Sequence, residues 1–250
     1  MSGDRRVLVT GGSRGIGRAC VEAFAHAGAA VAFNYSRPED EAEAAETLAL
    51  ARACGVRACG MRADVADADA VGRLFVEVRE ALGGPVDTLV NNAAVTADGL
   101  LMMLPEAAWQ RVLAVNLSGA YLCCRSALRG MIGARFGRIV NVVSPAAFFG
   151  KEGASSYAAA KGGLVALTKS LAREVARYGI TVNAVSPGYV DTHLLASMTA
   201  AERAALLAQI PLGRLGTPAD VAGVIAFLAS PATAYLTGTT VHVDGGLTML

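Results

Sequence analysis

Short β-rich runs alternate with longer helical stretches along most of this chain, and that rhythm restricts its fold more than any other feature. The runs are 7–10, 30–34, 56–62, 86–90, 138–143, 181–186 and 240–243. A strand followed by a helix-length crossover and another strand builds a βαβ unit, so the repeated pattern predicts a parallel sheet. Runs such as Arg-Ile-Val-Asn-Val-Val from Arg138 are apolar at successive positions rather than at alternate ones. Strands covered by helices on both faces need that composition. The expectation is an α/β chain built on a doubly wound parallel β-sheet. No linker, low-complexity tract or repeat divides it, so residues 1–250 are read as a single domain.

Composition narrows the partners. The 250 residues are 54% hydrophobic and 17% charged, enough apolar side chain for a large core. Lys and Arg number 22 against 21 Asp and Glu, without a sustained basic run, so a nucleic-acid partner is not expected. The opening segment is too weakly apolar for a secretory leader, and later apolar stretches are interrupted before membrane-spanning length. A cytoplasmic chain with no membrane partner is expected. The five cysteines Cys20, Cys54, Cys59, Cys123 and Cys124 form no CxxC pair and are read as free thiols. His26, His193 and His242 lack metal-ligand spacing, so no metal is expected.

The first strand runs into Thr10-Gly-Gly-Ser-Arg-Gly-Ile-Gly17 and then a helical stretch. Glycines at such a junction allow a tight turn and let the backbone approach a pyrophosphate, whose charge rests on the helix N-terminus. Gly11, Ser13, Arg14, Gly15, Ile16 and Gly17 are the candidate cradle of a dinucleotide, and the sheet is expected to be a Rossmann fold. Sites that prefer NAD carry Asp or Glu roughly 20 residues on, at the end of the second strand. This chain has Asn34-Tyr35-Ser36-Arg37 there. With no carboxylate opposing it, a 2′-phosphate could pair with Arg14 and Arg37. NADPH is the expected cofactor.

Tyr157 and Lys161 lie four apart in a helical stretch and so share a face, while Ser144 ends a strand. Ketone reduction needs hydride on carbon and a proton on oxygen. Tyrosine, near pKa ~10, holds its proton too firmly for that work. An ammonium about 5 Å away, at effective dielectric ~20, would favour the phenolate by roughly 3 kcal/mol, or about two pK units. The expectation is that Lys161 brings Tyr157 down toward working pH, with Ser144 donating to the substrate carbonyl. Ser144 has no GxSxG elbow around it and no histidine sits in a triad context, which disfavours a hydrolase.

With Asn116, these residues complete the Asn, Ser, Tyr, Lys set of the short-chain dehydrogenase/reductase family, which the chain resembles over nearly its whole length. The Gly11, Gly15, Gly17 spacing, Asp64-Val65, Asn91-Asn92-Ala93-Ala94 and Pro187-Gly188 carry the same resemblance. It implies that Asn116 holds a proton-relaying water and that Lys161 hydrogen-bonds the nicotinamide ribose. It also implies cofactor contacts at Asp64, Val65, Asn92, Ala93, Tyr157, Lys161, Pro187, Gly188, Val190 and Thr192. The stretches from Leu171 to Thr192 and from Ile210 to Ser230, with the ending Val241-His-Val-Asp-Gly-Gly246, look like the bacterial 3-oxoacyl-acyl-carrier-protein reductases of that family. This implies NADPH-dependent reduction of a 3-oxoacyl thioester in fatty-acid or polyketide synthesis, and a homotetramer. An acetoacetyl-CoA reductase or another ketoreductase is the alternative, and a non-catalytic NADP-binding sensor a further one. A four-residue catalytic set speaks against the sensor.

Departures from that pattern bear on partners and substrate. Arg135 matches one carrier-protein docking arginine of the family, whereas Tyr178 takes the place of the second, with Arg177 beside it. Phe148 and Phe149 stand between Ser144 and Tyr157, either lining an acyl pocket or packing under a lid. Residues 190–209 form a long insertion between the last two strands and are read as a helical substrate lid. Within and after it, Thr199 with Glu202 makes a capping box and Pro218 follows Thr217, marking two helix starts; Pro211 and Pro231 mark their stops.

Overall fold

A computed structural model describes residues 5–192 and 199–249. Its strands are β1 (Arg6–Val9), β2 (Ala30–Tyr35), β3 (Ala58–Arg62), β4 (Thr88–Asn91), β5 (Gly137–Val142), β6 (Ile180–Pro187) and β7 (Thr240–Val243). All pair in parallel in the order β3-β2-β1-β4-β5-β6-β7, so the doubly wound sheet expected from the sequence is present. β3 and β4 each begin two residues later than the apolar pattern suggests.

Side-chain alternation builds two cores from one sheet. On one face Leu8, Ala32, Leu89, Ile139 and Val182 meet α3 (Ala68–Leu82), α5 (Ala120–Ala134) and the C-terminal half of α7 (Ser155–Val175). On the other, Val7, Val9, Val31, Phe33, Val140 and Val185 meet α1 (Gly15–His26), α2 (Glu41–Ala53) and α9 (Pro218–Leu228). Each large side chain fully buried this way contributes about 1.5–3 kcal/mol. The middle strands have no solvent face, which explains their continuous apolar sequences.

Connections fix where chemistry can sit. From β1 the chain winds outward through β2 to β3, then returns to add β4 on the other side of β1. The turns after β1 and β4 therefore diverge and leave a crevice at the C-terminal strand ends. α4 (Glu106–Leu113) leads into Ala114–Gly119, wound more widely as a π-helical turn, and then into α5. α6 (Ala146–Phe149) is one short turn directly after Ser144.

The two helix starts read from sequence are observed. Thr199 and Glu202 cap α8 (Ala200–Leu207) reciprocally, and Thr217 and Asp220 do the same for α9, which has Pro218 in its first turn. Of the expected lid, residues 193–198, including His193, lie outside the described residues. α8 itself anchors through Leu206, packed with Ile210 and Leu215. All five cysteines are free; burial pushes the Cys20 and Cys124 thiols up to about 12, which suppresses thiolate chemistry. Among the described residues no three His, Cys, Asp or Glu side chains could hold a metal, and no helix is long and apolar enough to cross a membrane.

Candidate active site

β5 and α7 carry the expected acid, its helper and the hydroxyl to one place. Ser144 stands two residues beyond the end of β5, and Tyr157 and Lys161 stand one turn apart on α7. Tyr157 and Ser144 share a hydrogen bond, and the Ala146 N–H donates to Ser144 Oγ at 3.3 Å. Lys161 is 1% exposed; its Nζ donates to the Val142 carbonyl at 2.6 Å and lies 5.6 Å from the Tyr157 ring centre.

A buried polar chain keys these elements together. Asn91 on β4 donates through Nδ2 to Asn141 Oδ1 on β5 at 2.8 Å. Asn141 Nδ2 donates to Thr168 Oγ1 on α7 at 2.8 Å, and Thr168 donates in turn to the Leu164 carbonyl. Thr168 lies two turns beyond Lys161, so this bond fixes the register in which α7 presents Tyr157 and Lys161.

Electrostatics correct one expectation. Lys161 does not bring the Tyr157 hydroxyl below its ordinary value; burial pushes it up, and the Ser144 hydrogen bond only partly opposes that. Lys161 is itself pushed down to about 8 by burial. Both residues occupy low-dielectric surroundings, where the cost of forming a charge exceeds the gain from a partner turned toward a carbonyl. The sequence-based argument weighed proximity and left out desolvation.

Asn116 is fixed by its own side chain. It is buried in the π-helical turn, where its Oδ1 accepts from the Val95 N–H at 2.9 Å and its Nδ2 donates to the Val95 carbonyl at 2.8 Å. The side chain thus latches the loop after β4, and each end of the amide keeps one further hydrogen-bonding position. A π turn inserts one residue into the helical ladder and commonly marks a functional position.

At the dinucleotide end the cradle is formed. Gly11 and Gly15 have φ of +66° and +55°, and a Cβ at position 17 would run into the Gly11 carbonyl and lie 2.7 Å from Asn92 Nδ2. The left-handed φ at positions 11 and 15 favours glycine, and the clash at position 17 requires it. The N-terminus of α1 behind it has no acidic residue in its first turn, leaving its N–H groups suited to a pyrophosphate. Gly17→Ala is expected to lower stability by about 1–3 kcal/mol and to weaken dinucleotide binding sharply. Thermal melts with and without NADPH check it: an unchanged ligand-induced shift in melting temperature would contradict this placement.

The other expected contacts are distributed around this turn. Asn92 braces it, donating to the Thr10 and Gly11 carbonyls at 3.0 Å. Asp64 accepts from the Ala66 N–H and from Arg111, the latter at 2.8 Å, and Val65 is buried beneath the α4–α5 junction. Ala93 donates its N–H to Thr10 Oγ1. Gly188 continues from Pro187 at the end of β6, Val190 bridges to Gly216, and Thr192 lies 3.5 Å from where a Gly15 Cβ would stand. Ser13 and Ile16 lie in the turn and the first turn of α1.

Arg14 and Arg37 are where the sequence reading was incomplete. Both pair with Asp40, a carboxylate just past the four residues read as the end of β2. The expectation that nothing opposes a phosphate there is therefore corrected. Sequence reasoning also passed over Asn34, whose Oδ1 accepts from Gly11 N–H and whose Nδ2 donates to the Ala63 carbonyl. A polar residue closing an otherwise apolar strand was the available signal. No sequence signal pointed to the Val142 carbonyl, because backbone acceptors are common to all residue types.

Arg135 and Arg177 do come together, Arg135 donating to the Arg177 carbonyl at 3.0 Å, with Arg177 over the Tyr178 ring. They precede β5 and β6, at the opposite end of the sheet from Ser144. Phe148 and Phe149 are partly exposed beside the site, with Phe148 against His242 at 5.0 Å between ring centres.

Residues 11–248 match the profile of a family described as Enoyl-(Acyl carrier protein) reductase. Curated relatives include the 3-oxoacyl-(acyl-carrier-protein) reductase FabG of Vibrio cholerae, 42% identical over 97% of both chains. The enzyme of the same name from Pseudomonas aeruginosa is 43% identical over 97% of this chain and 96% of its own. Among solved structures, a Sinorhizobium meliloti protein assigned as a short-chain alcohol dehydrogenase superposes with a TM-score of 0.91 at 39% identity, over 98% of this chain and 96% of that one. An Agrobacterium tumefaciens protein assigned as a gluconate dehydrogenase gives 0.92 at 35% identity, with the same coverages.

Proposed function

The chain belongs to the short-chain dehydrogenase/reductase family, and from that membership we propose that it is an oxidoreductase that reduces a 3-oxoacyl thioester, carried by acyl carrier protein, to the 3-hydroxyacyl thioester with NADPH. The observation that carries the reading is the convergence of Tyr157, Ser144 and Lys161 at the end of β5, beside a glycine cradle that a Cβ would fill. The curated relatives, named for this reaction, support the substrate class.

Bound in the cradle, the dinucleotide would supply hydride from its nicotinamide. The protein's own residues handle the oxygen. Ser144 and Tyr157 donate hydrogen bonds where negative charge grows on the substrate carbonyl, and Tyr157 gives up its proton. Lys161, locked onto Val142, would hold the nicotinamide ribose and keep a positive charge near the forming phenolate. Asn116 acts through Val95, holding the β4 loop against the site.

The direct test is nicotinamide absorbance with acetoacetyl thioesters on the carrier protein and on N-acetylcysteamine. NADPH oxidation with stoichiometric 3-hydroxyacyl product is expected. Binding without turnover of any ketone would make the chain a sensor, and reduction of a 2-enoyl thioester instead would move it to the reaction in the family profile's description. Arg37→Ala is expected to weaken NADPH about 10-fold to 100-fold, the loss of a charge-assisted bidentate contact, with NADH nearly unaffected. Equal losses for both would remove the 2′-phosphate assignment. The proposal extends to a homotetramer and to carrier docking at Arg135 and Arg177. Because those arginines lie at the far end of the strands from Ser144, docking there would serve the site of a neighbouring protomer.

A further inference from the structure

We propose that Asp40 sets the cofactor preference of this chain, its carboxylate holding the seat on Arg37 and Arg14 that a 2′-phosphate would take. The inference rests on the reading of these arginines as the 2′-phosphate residues. Arg37 turns the fork of its guanidinium to Asp40, with Nη2 to Oδ1 at 2.8 Å and Nε to Oδ2 at 3.1 Å. Arg14 Nη1 reaches Asp40 Oδ1 at 3.2 Å and Glu43 Oε2 at 3.2 Å. Two parallel N–H bonds from one guanidinium suit a carboxylate and a phosphate equally well, so the two anions compete for the same donors.

Position and burial place this carboxylate against both arginines. Asp40 stands at the N-cap of α2, where an aspartate ordinarily accepts from the helix N–H groups, yet its side chain caps nothing. Its side chain is 9% exposed, against 35% for Arg14 and 51% for Arg37. The short turn Pro38–Asp40 holds it there, starting on a proline that fixes the backbone. Glu39 adds a carboxylate 3.8 Å from Arg37 Nε. With Glu43 on Arg14, an arriving phosphate meets carboxylates already seated on both arginines.

NADPH binds, on this geometry, by displacing Asp40 from Arg37, and part of the phosphate's binding energy is spent on that exchange. NADH has no 2′-phosphate and leaves the pair intact. Wild-type discrimination between the two cofactors is accordingly modest, and removing the Asp40 charge sharpens it.

The test uses calorimetric titration of the full chain with 2′,5′-ADP and with 5′-AMP, which differ by the phosphate in question and need no turnover. Asp40→Asn and Asp40→Ser are each expected to raise the preference for 2′,5′-ADP at least about tenfold, with 5′-AMP affinity unchanged. A preference that stays level or falls in both variants, while Arg37→Ala still lowers it, would overturn the inference and leave the NADPH reading standing. Asp40 would then be holding Arg37 in place for the phosphate. A preference insensitive to Arg37→Ala in every background would remove the 2′-phosphate assignment, and the inference with it.

Discussion

Tyr157→Phe is expected to turn over a 3-oxoacyl thioester about 10²-fold to 10⁴-fold more slowly than the wild type, with NADPH affinity nearly unchanged. Phenylalanine keeps the ring over Lys161 and removes the acidic proton together with the hydrogen bond to Ser144. Losing a donor to the developing oxyanion pushes the effect toward the upper end of that range. Burial already holds the hydroxyl above its ordinary pKa, so the proton is retained until substrate and cofactor create the need for it. Steady-state turnover beside direct NADPH titration separates the two quantities. Near-normal turnover in a folded variant would mean that another group donates the proton.

Lys161→Met should collapse turnover by at least about 10²-fold and at the same time make the free protein more stable at neutral pH. The ammonium is fully buried and falls from 10.5 to about 8. At about 1.4 kcal/mol per pH unit, the charge costs the fold roughly 3 kcal/mol below pH 8. The unfolded lysine keeps its proton up to its ordinary value and the folded one only to about 8. Between those values the unfolded chain binds more protons, so stability rises with pH there, and below that window the full penalty applies. Methionine removes the charge but leaves the buried Val142 carbonyl without its donor, a loss of about 1–3 kcal/mol. A net gain of up to about 2 kcal/mol is therefore expected at pH 7, together with loss of the stability rise that wild type shows from pH 8 upward. Urea unfolding across that range measures both. A variant less stable than wild type at pH 7 would show that the lysine supports the fold as well as the reaction.

The fold was legible because its determinants are local and periodic. Strands buried on both faces must be apolar throughout, and the Thr10–Gly17 turn between the first strand and helix has few other uses. Tyr157 and Lys161 were legible because helical spacing places them side by side. The features that escaped depend on three-dimensional surroundings. Asp40 was passed over because nothing local says that a carboxylate three residues beyond Arg37 will fold back onto it. The direction of the Tyr157 shift turned on how much water the packed site excludes, and sequence spacing does not carry that quantity. Asn116 was singled out by resemblance, and its pairing with Val95 escaped because the residues Ala114–Gly119 do not announce the π turn that holds it.

The anchor of Lys161 exists because two neighbouring strands stop at different lengths. β4 ends at Asn91, paired with Asn141, while β5 continues to Val142. Val143 gives its N–H to Val185 on β6, so its neighbour Val142 faces the side from which β4 has already departed. The sheet thus leaves one carbonyl over at its ragged end, and the lysine claims it. Strand length becomes a catalytic variable in its own right: one more residue of β4 pairing would satisfy that carbonyl with backbone, and the ammonium would have nothing to hold it in register. Substitutions that extend the ladder by a residue could therefore silence the enzyme without touching any side chain that takes part in the reaction.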